Sequence, residues 1–374
     1  MAYTGETPIE HNGKKVVAFK ESGEWTIPEG VTNVDVLVVA GGGSTCEFGG
    51  GGGAGGLIFR PNYDISQKSN INIQVGAGGI GSTTTSTGTD GENSFFDNLI
   101  ALGGGAGTSS NEETYANSGG NGGGNGPRNK FGGQGVQPSE DGDSGSPYGF
   151  GNNGGGGKPD YTSGNSGGSG GGGGAGESGK DGAFRAGGDG GDGLDEVEIN
   201  EETYNFADIF GTNYGEIIEE QAWFAGGGAG FGDHREGSAT NGEPGKGGGG
   251  LAATDGGTDN TDGLENTGGG AGAGGPQGVG ANGGSGIVII AYEEPSFIIK
   301  GKVTLNSTNI EGAKVRLIND TTNTYVGDTL TDENGDYKFS VGSDTDDFHA
   351  MVEYESGENK YHAVSYPFIK GGEE

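Results

Sequence analysis

Glycine occupies 93 of the 374 positions in this chain, roughly a quarter, against a usual frequency of about 7%. Hydrophobic residues make up only 29% of the sequence, so one conventional core cannot extend through all of it. One outcome for such a chain is a disordered linker, because glycine loses much backbone entropy on folding and has no side chain to bury. The other is an ordered lattice in which extended glycine segments pair backbone to backbone.

Apolar segments at both ends of the glycine-rich region favour the ordered lattice. Residues 34–40 form an apolar run, interrupted only by Asp35, that stops at three glycines, and residues 286–292 form a second run. Runs of this length are typical of strands buried on both faces. A linker has no reason to begin and end on matched buried strands. We therefore expect the two runs to pair in one sheet and the glycine segments between them to pack as a polyglycine-II-type bundle.

Short apolar segments interrupt the glycine-rich region. Residues 57–60 and 71–75 are strand candidates, the second alternating with a period of two, and residues 95–102 form another apolar island. Residues 194–224 differ, because they carry many aromatic and β-branched side chains within a low-complexity region. We predict a folded insertion there, with a helix over part of 216–224.

After Pro295 the composition returns to that of an ordinary β-rich domain. We predict two domains, a glycine-rich β-sandwich over 1–292 and a second β-sandwich over 296–374. The second domain shows about seven short strand candidates, the pattern of an antiparallel sandwich. These candidates are residues 297–304, 313–318, 324–326, 329–331, 336–341, 348–354 and 361–366.

Two motifs near the N-terminus connect the glycine-rich region to a known family. SGEWTIPEGV at 22–31 and VLVVAGGG at 36–43 resemble the opening of the glycine-rich domain of phage tail proteins. QVGAGG at 74–79 and the closing segment 283–292 fit the same pattern, so the resemblance covers about residues 15–292. It implies a jelly-roll sandwich, similar to tumour-necrosis-factor modules, with projecting glycine helices. Adhesins of this kind use such bundles to present receptor-binding loops.

The C-terminal domain shows a second resemblance. GKV at 301–303, GAKVRL at 312–317 and TDENGDYKF at 331–339 resemble the carboxypeptidase-regulatory-like, transthyretin-like sandwich. Such modules are accessory folds that bind sugars or neighbouring subunits. The expected fold class is therefore all-β: a jelly-roll, TNF-like sandwich with a polyglycine-II-type bundle, followed by an immunoglobulin-like or transthyretin-like sandwich.

The charge balance excludes some partners. With 19 basic and 53 acidic residues the net charge is −34, which argues against binding nucleic acid or an anionic membrane surface. No stretch approaches the roughly 18 apolar residues of a membrane span, so we expect no membrane insertion. An acidic surface favours a halophilic origin or simple repulsion between crowded copies. The first residues lack the basic start and apolar segment of a secretion signal.

The sequence contains no motif that selects a catalytic site. No Gly-Lys-Ser or Gly-Lys-Thr closes a phosphate loop, and the four histidines are dispersed. Glycosidases need a spaced carboxylate pair, and nothing selects one pair among the 53 acids. We expect no enzyme activity and no cofactor. Asp332, Asn334 and Asp336 resemble part of a calcium loop and are weak surface cation candidates, although a β-turn at Asn-Gly also explains them.

Aromatic residues among the glycines are candidates for receptor contact. Such rings could stack on the faces of sugars, or they could anchor loops to the glycine bundle, and the sequence leaves both roles open. The receptor-contact candidates are Tyr148, Phe150, Tyr161, Phe184, Trp223, Phe224, Phe231 and His234.

These features together predict a virion structural protein of a tailed virus that infects a prokaryote, with a halophile favoured as host. We expect it in a tail fibre, baseplate or spike, assembled in the host cytoplasm and exposed on the released particle. Expected partners are other copies of the chain, with a trimer as one candidate, other virion structural proteins, and a host surface glycan or S-layer protein. The alternatives are a capsid decoration or turret protein, and a cell-surface adhesin of the host.

Overall fold

The structure is a computed structural model that describes most of the chain. The described residues are 5–28, 31–84, 87–109, 115–127, 130–137, 148–158, 167–232, 239–254, 258–275, 278–294, 297–341, 347–356, 359–364 and 369–370. The chain divides into two compact units, Met1–Ile27 with Thr32–Glu293, and Pro28–Val31 with Glu294–Glu374. Within the described ranges, no helix has the length and apolar character that crossing a membrane requires.

The described secondary structure is almost entirely β, which confirms the predicted fold class. A single short helix, α1 (Phe206–Phe210), occurs in the described residues. The strands of the first unit are β1 (Ile9–His11), β2 (Lys14–Phe19), β3 (Gly23–Thr26), β4 (Asn33–Val39), β5 (Leu57–Asp64), β6 (Asn70–Gln74), β7 (Ser94–Phe96), β8 (Leu99–Ala101), β9 (Gly149–Phe150), β10 (Glu196–Ile199), β11 (Glu202–Asn205), β12 (Glu216–Ile218), β13 (Gln221–Trp223) and β14 (Ile287–Tyr292). The strands of the second unit are β15 (Phe297–Lys302), β16 (Thr304–Leu305), β17 (Thr308–Asn309), β18 (Lys314–Asn319), β19 (Thr324–Leu330), β20 (Asp336–Val341), β21 (Asp347–Ser356), β22 (Asn359–Val364) and β23 (Ile369–Lys370).

The main sheet of the first unit has the antiparallel order β1-β2-β14-β4-β5-β9. Its last strand in the sequence, β14, lies in the middle and pairs with β2 and β4, with Ile287 opposite Val39 and Val288 opposite Phe19. All six residues of β14 are buried, as a continuous apolar run predicts. The expected pairing of the two bounding apolar runs is confirmed, and it closes the glycine-rich region into one domain.

A second sheet, in the order β3-β6-β7-β8, packs on one face of the main sheet. Trp25 of β3 lies between the sheets, with its ring centroid 5.8 Å from that of Tyr292 and 6.4 Å from that of Phe96. Two sheets with their apolar faces in contact form a sandwich, and the tilted aromatic rings fill the space between them.

The segment between β10 and β13 covers the opposite face of the main sheet. It consists of two hairpins, β10–β11 and β12–β13, joined through α1. Phe206 and Phe210 of α1 are fully buried and place their rings 5.4 Å and 6.2 Å from that of Phe59 in β5. The centre of the main sheet is therefore buried on both faces, which explains why β14 is continuously apolar and why β2 and β4 end in apolar runs.

The helix predicted over part of 216–224 is wrong, because β12 and β13 form a hairpin there. Glu219 and Glu220 make its two-residue turn, with φ angles of 49° and 67°. Two successive residues with positive φ form the turn that matches the twist of a hairpin. Glutamate is an unusual residue in such a turn, so the sequence did not indicate it.

The glycine segments form an ordered lattice, one of the two outcomes that the composition allowed. Six successive backbone N–H groups, from Ala40 to Thr45, donate in rotation to three neighbouring segments, at N···O distances of 2.8–3.2 Å. Their acceptors, in order, are the carbonyl oxygens of Gly56, Glu92, Gly284, Gly53, Thr89 and Ala281. The same neighbouring segment accepts every third N–H, and the residue number of its acceptor is each time lower by three. A helix with three residues per turn and antiparallel neighbours gives this pattern, so the polyglycine-II-type bundle is confirmed.

The segment 50–56 repeats the rotation with other neighbours. Its seven N–H groups donate, in order, to the carbonyl oxygens of Thr108, Gly170, Ala271, Gly105, Gly173, Gly268 and Leu102. Gly52 shows why glycine is required. Its N–H donates to Ala271 at 2.8 Å and its carbonyl accepts from Gly228 at 2.9 Å. A Cβ on Gly52 would overlap the carbonyl oxygen of Gly43, so no other residue allows this approach.

Polar side chains replace backbone acceptors where a lattice segment lacks a neighbour. The N–H groups of Gly103 and Ala106 donate to Asn93 Oδ1 at 2.8 Å and to Asp90 Oδ1 at 2.7 Å. On another edge, the N–H of Glu243 donates to Asp189 Oδ1 at 2.9 Å. The N–H groups of Gly103 and Ala106 are partly buried, where lack of an acceptor is unfavourable, so these side chains terminate the lattice there.

The second unit has its own core between two groups of strands. β15 pairs with β20, while β19, β18, β21 and β22 form a separate antiparallel sheet in that order, with β23 also paired to β21. Ile299, Leu317, Phe339 and Phe348 are buried in this core. The two strands predicted at 324–326 and 329–331 are one strand, β19, because a register shift beside Leu317 lets pairing with β18 continue.

Candidate functional site

Two of the aromatic receptor-contact candidates are buried. The exposed fractions of Phe224 and Phe231 are 0% and 1%. The Phe224 ring packs edge-on against Phe206 at 6.0 Å, and the N–H of Phe231 donates to Ser169 Oγ at 2.6 Å. Burial excludes both rings from receptor contact, which corrects the prediction for these two residues. They anchor the glycine lattice, the alternative role that the sequence left open.

Three further candidates are half-buried at the edge of the first unit. Tyr148 and Phe150 pack against the core of the main sheet, and Phe150 pairs with Leu57 across β9 and β5. The guanidinium of Arg60 lies 3.9 Å from the centre of the Tyr148 ring. The ammonium of Lys246 lies 4.5 Å from the ring centre of Trp223, the third half-buried candidate. These contacts hold the three rings in the fold.

The remaining candidates differ in what the structure describes. Phe184 has an exposed fraction of 56%, so its ring is open to a partner. Tyr161 and His234 lie outside the described residues. The eight candidates therefore do not form one continuous surface within the described part of the chain.

A pair of exposed rings that the sequence analysis did not select lies beside a cavity. Tyr115 and Phe131 have exposed fractions of 68% and 61%, and their ring centroids are 5.7 Å apart at an angle of 35°. Each ring is close in sequence to a lattice segment. The N–H of Gly119 donates to the carbonyl of Gln134 at 3.2 Å, and this pairing brings the two segments together. The rings meet because the lattice aligns segments that are separate in sequence.

The cavity beside these rings has a volume of about 710 Å³. That volume is within the usual range of small-ligand sites. The wall combines the two aromatic rings with lattice backbone and polar side chains. The residues that line it are Tyr115, Ala116, Ser118, Lys130, Phe131, Gly132, Gly133, Gln134, Asn153, Gly154, Gly156 and Asp181.

Two polar side chains of the cavity are fixed by the lattice. Asp181 Oδ1 accepts the N–H of Gly156 at 2.7 Å, and Asn153 Oδ1 accepts the N–H of Gly135 at 2.9 Å. Asp181 Oδ2 and Asn153 Nδ2 have no hydrogen-bond partner among the described residues. Lys130 is exposed and makes no ion pair with any residue that the structure describes. The cavity thus offers donors and an acceptor beside two rings.

The candidate cation residues of the second unit form a turn. Asp332 Oδ1 accepts the N–H groups of Asn334 at 2.8 Å and Asp336 at 2.9 Å, and Gly335 has a φ of 74°. The Asp336 carboxylate lies 3.3 Å from the Lys302 ammonium. Asp332 therefore organises the loop between Thr331 and β20, as the turn interpretation of this motif expects. Across the described ranges, no group of three or more His, Cys, Asp or Glu side chains is placed to hold a metal ion.

The perturbed pKa values of the first unit follow its hydrogen bonds. The pKa of Asp189 is lowered by its bond to Lys180, whose ammonium lies 2.8 Å away, and by the N–H of Glu243. The pKa of Tyr204 is raised to about 12, mainly by its hydrogen bond to Glu202. Both shifts arise from neighbours that stabilise one protonation state of the group, the usual effect of a structural pair.

The sandwich and its lattice define a class of protein, a glycine-rich scaffold in which extended segments pair backbone to backbone beside two sheets. The family model described as the glycine-rich domain matches residues 18–293 of the 374, and the chain belongs to this family. The match confirms the glycine-rich domain that the resemblance indicated. A comparison with curated proteins finds no match.

Proposed function

We propose that this chain is a virion structural protein of a tailed virus that infects a prokaryote, with a halophile as host. In this proposal it belongs to a tail fibre, baseplate or spike and contributes to attachment to the host surface. The observation that carries the proposal is the lattice, in which consecutive residues such as Gly51, Gly52 and Gly53 are bonded to three different neighbours. Such cross-linking supports a stiff scaffold that holds loops for contact.

The exposed aromatic pair supports a role in recognition. Tyr115 and Phe131 keep most of their surface in water, although burial of such rings is favourable. Exposed rings beside a cavity are typical of binding surfaces. The lattice supplies a fixed base for them, so the loops at its ends can change in sequence while the scaffold stays folded.

We assign the second unit to docking. Its two groups of strands around one core agree with the transthyretin-like module that the motifs resemble. Such a module would bind neighbouring virion structural proteins, and further copies of the chain would assemble with it, as a trimer or another closed ring. In the same proposal the protein needs no cofactor and acts by binding, without catalysis.

Electron microscopy of labelled particles tests the location. Antibodies against the C-terminal unit are applied to virions purified from infected cells, with uninfected host cells as the control. Gold at the tail or its tip is the expected result. Label on the capsid instead would assign the chain to a decoration or turret protein, and label on uninfected cells would make it a host adhesin.

An activity assay tests the absence of catalysis. Purified full-length protein is incubated with host envelope polysaccharide, and the length of the polysaccharide chains is followed by gel filtration. We expect binding without shortening of the chains. Cleavage would replace the attachment proposal with that of a depolymerase.

A further inference from the structure

The cavity beside Tyr115 and Phe131 combines features that suit one ligand class. Its two exposed rings offer apolar faces, and its polar wall carries an ammonium, a carboxylate and two amides. A saccharide presents the complementary surface, since the C–H groups of a sugar ring form an apolar face and its hydroxyls both donate and accept hydrogen bonds. A peptide side chain would use the rings but would leave most of the polar wall without partners, which is unfavourable.

We propose that this cavity binds a saccharide unit of a host-surface glycan. In this arrangement the sugar ring stacks on Phe131 and Tyr115, and its hydroxyls bond to Lys130, Asn153 and Asp181. The assignment rests on the proposed attachment function, because it names the ligand class and the position of the contact. It selects a glycan over an S-layer protein as the receptor at this site.

The polar groups are suited to hydroxyl recognition because the lattice holds them in place. Asp181 and Asn153 each use one oxygen to accept a lattice N–H, which fixes the side chain and leaves Asp181 Oδ2 and Asn153 Nδ2 for a ligand. Lys130 adds a donor that no carboxylate among the described residues neutralises. Binding then orders few new side chains, and groups held in advance lose less entropy when a ligand binds.

Binding to defined saccharides tests the assignment. The full-length protein is applied to a printed array of microbial surface oligosaccharides, and the Kd of the best-bound oligosaccharide is measured by calorimetry. Phe131→Ala and Tyr115→Ala remove one ring each, and Tyr325→Ala removes a ring of similar exposure, 60%, in the second unit as the matched control. We expect a Kd at least about tenfold weaker for the first two variants and an unchanged Kd for the control, since central aromatic contacts dominate binding.

Each outcome decides the question. Phe131 and Tyr115 are exposed, so the unfolding temperatures of both variants should equal that of the wild type, and a thermal melt verifies this. If no printed oligosaccharide retains the protein, or if Phe131→Ala binds as tightly as Tyr325→Ala, the saccharide assignment is overturned. Gold label on virion tails together with either result would leave the attachment function in place and remove only this site. Unlabelled virions with ring-dependent saccharide binding would remove the virion assignment instead.

Discussion

At the scale of single residues, the lattice depends on the absence of side chains. Gly52 is surrounded by backbone, and a Cβ there would overlap the oxygen of Gly43, which belongs to another segment held by its own hydrogen bonds. The neighbour cannot move aside as a flexible side chain would. Hydrogen bonds to three segments fix the segment that contains Gly43, so one added methyl group disturbs several backbone hydrogen bonds at once.

We therefore expect Gly52→Ala to destabilise the first unit by about 3 kcal/mol or more, the upper range for overpacking. Gly327→Ala is the matched control, because a Cβ at Gly327 meets no atom within 4 Å. Differential scanning calorimetry of both variants measures the effect. Equal unfolding temperatures for Gly52→Ala and the wild type would contradict the close approach in the lattice.

Asp189 shows how an acidic side chain can serve the lattice. Its carboxylate accepts the N–H of Glu243 and pairs with Lys180, and both contacts lower its pKa below the ordinary value of 3.8. Because its pKa is lower in the folded state, the carboxylate stabilises the fold at pH values above its unfolded-state pKa of 3.8. That contribution is lost as the pH falls through the lower folded value.

The substitutions Asp189→Asn and Asp189→Ala separate the two contacts. Asparagine keeps an oxygen for the N–H of Glu243 and loses the ion pair, which is partly exposed and screened, so we expect a loss of about 0.5 kcal/mol. Alanine loses both contacts, and we expect about 1.5 kcal/mol. Urea unfolding at pH 7 and pH 3 measures these differences. The difference in the free energy of unfolding between wild type and Asp189→Asn should be smaller at pH 3 than at pH 7. A larger difference at pH 3 would refute a stabilising role for the Asp189 carboxylate.

At the scale of elements, the segment containing α1 completes the core of the first unit. Phe206 is fully buried against Phe59 and Phe224, whereas Ile217 in the same segment is 45% exposed. We expect Phe206→Ala to cost about 3–5 kcal/mol, because it leaves a cavity against the main sheet. Ile217→Ala should cost less than about 1 kcal/mol. Chemical unfolding of the two variants compares them, and similar losses would show that the segment does not cover the sheet.

The elements that the sequence predicted are those with strong local patterns. The apolar runs at 34–40 and 286–292 were identified correctly as strands, β4 and β14, because a strand buried on both faces consists mostly of apolar residues. The hairpin of β12 and β13 was missed, because its turn places Glu219 and Glu220 at positive φ. Tertiary packing holds that turn, and local residue preference does not indicate it.

The candidate site was predicted less well than the fold. Aromatic residues between glycines look alike in sequence, yet Phe224 and Phe231 are buried while Phe184 is exposed. Whether a ring is buried depends on how many neighbours surround its lattice segment, and that number follows from long-range pairing. Tyr115 and Phe131 meet for the same reason, so only the assembled lattice brings them together.

At the scale of the whole molecule, the net charge of −34 has two origins. Some acids, such as Asp90 and Asp189, accept lattice N–H groups and are part of the fold. Others, such as Glu198, Glu219 and Glu220, are exposed, and their carboxylates form no hydrogen bond or ion pair with the described residues. Only the second group adds repulsion without a compensating contact. Added salt should therefore raise the stability of the fold mainly by screening the repulsion between these unpaired carboxylates.

We expect the unfolding temperature to rise by about 5 °C or more between about 0.1 M and about 2 M NaCl, because screening weakens this repulsion. Changing Glu198, Glu219 and Glu220 together to Gln should reduce the salt response, whereas Asp189→Asn should leave most of it. Thermal melts across a salt series test both statements. A halophilic origin requires this dependence, since a protein adapted to high salt should be more stable there than at low salt. A flat or falling salt response would therefore count against a halophilic host, and repulsion between crowded copies would then be the explanation for the unpaired acids.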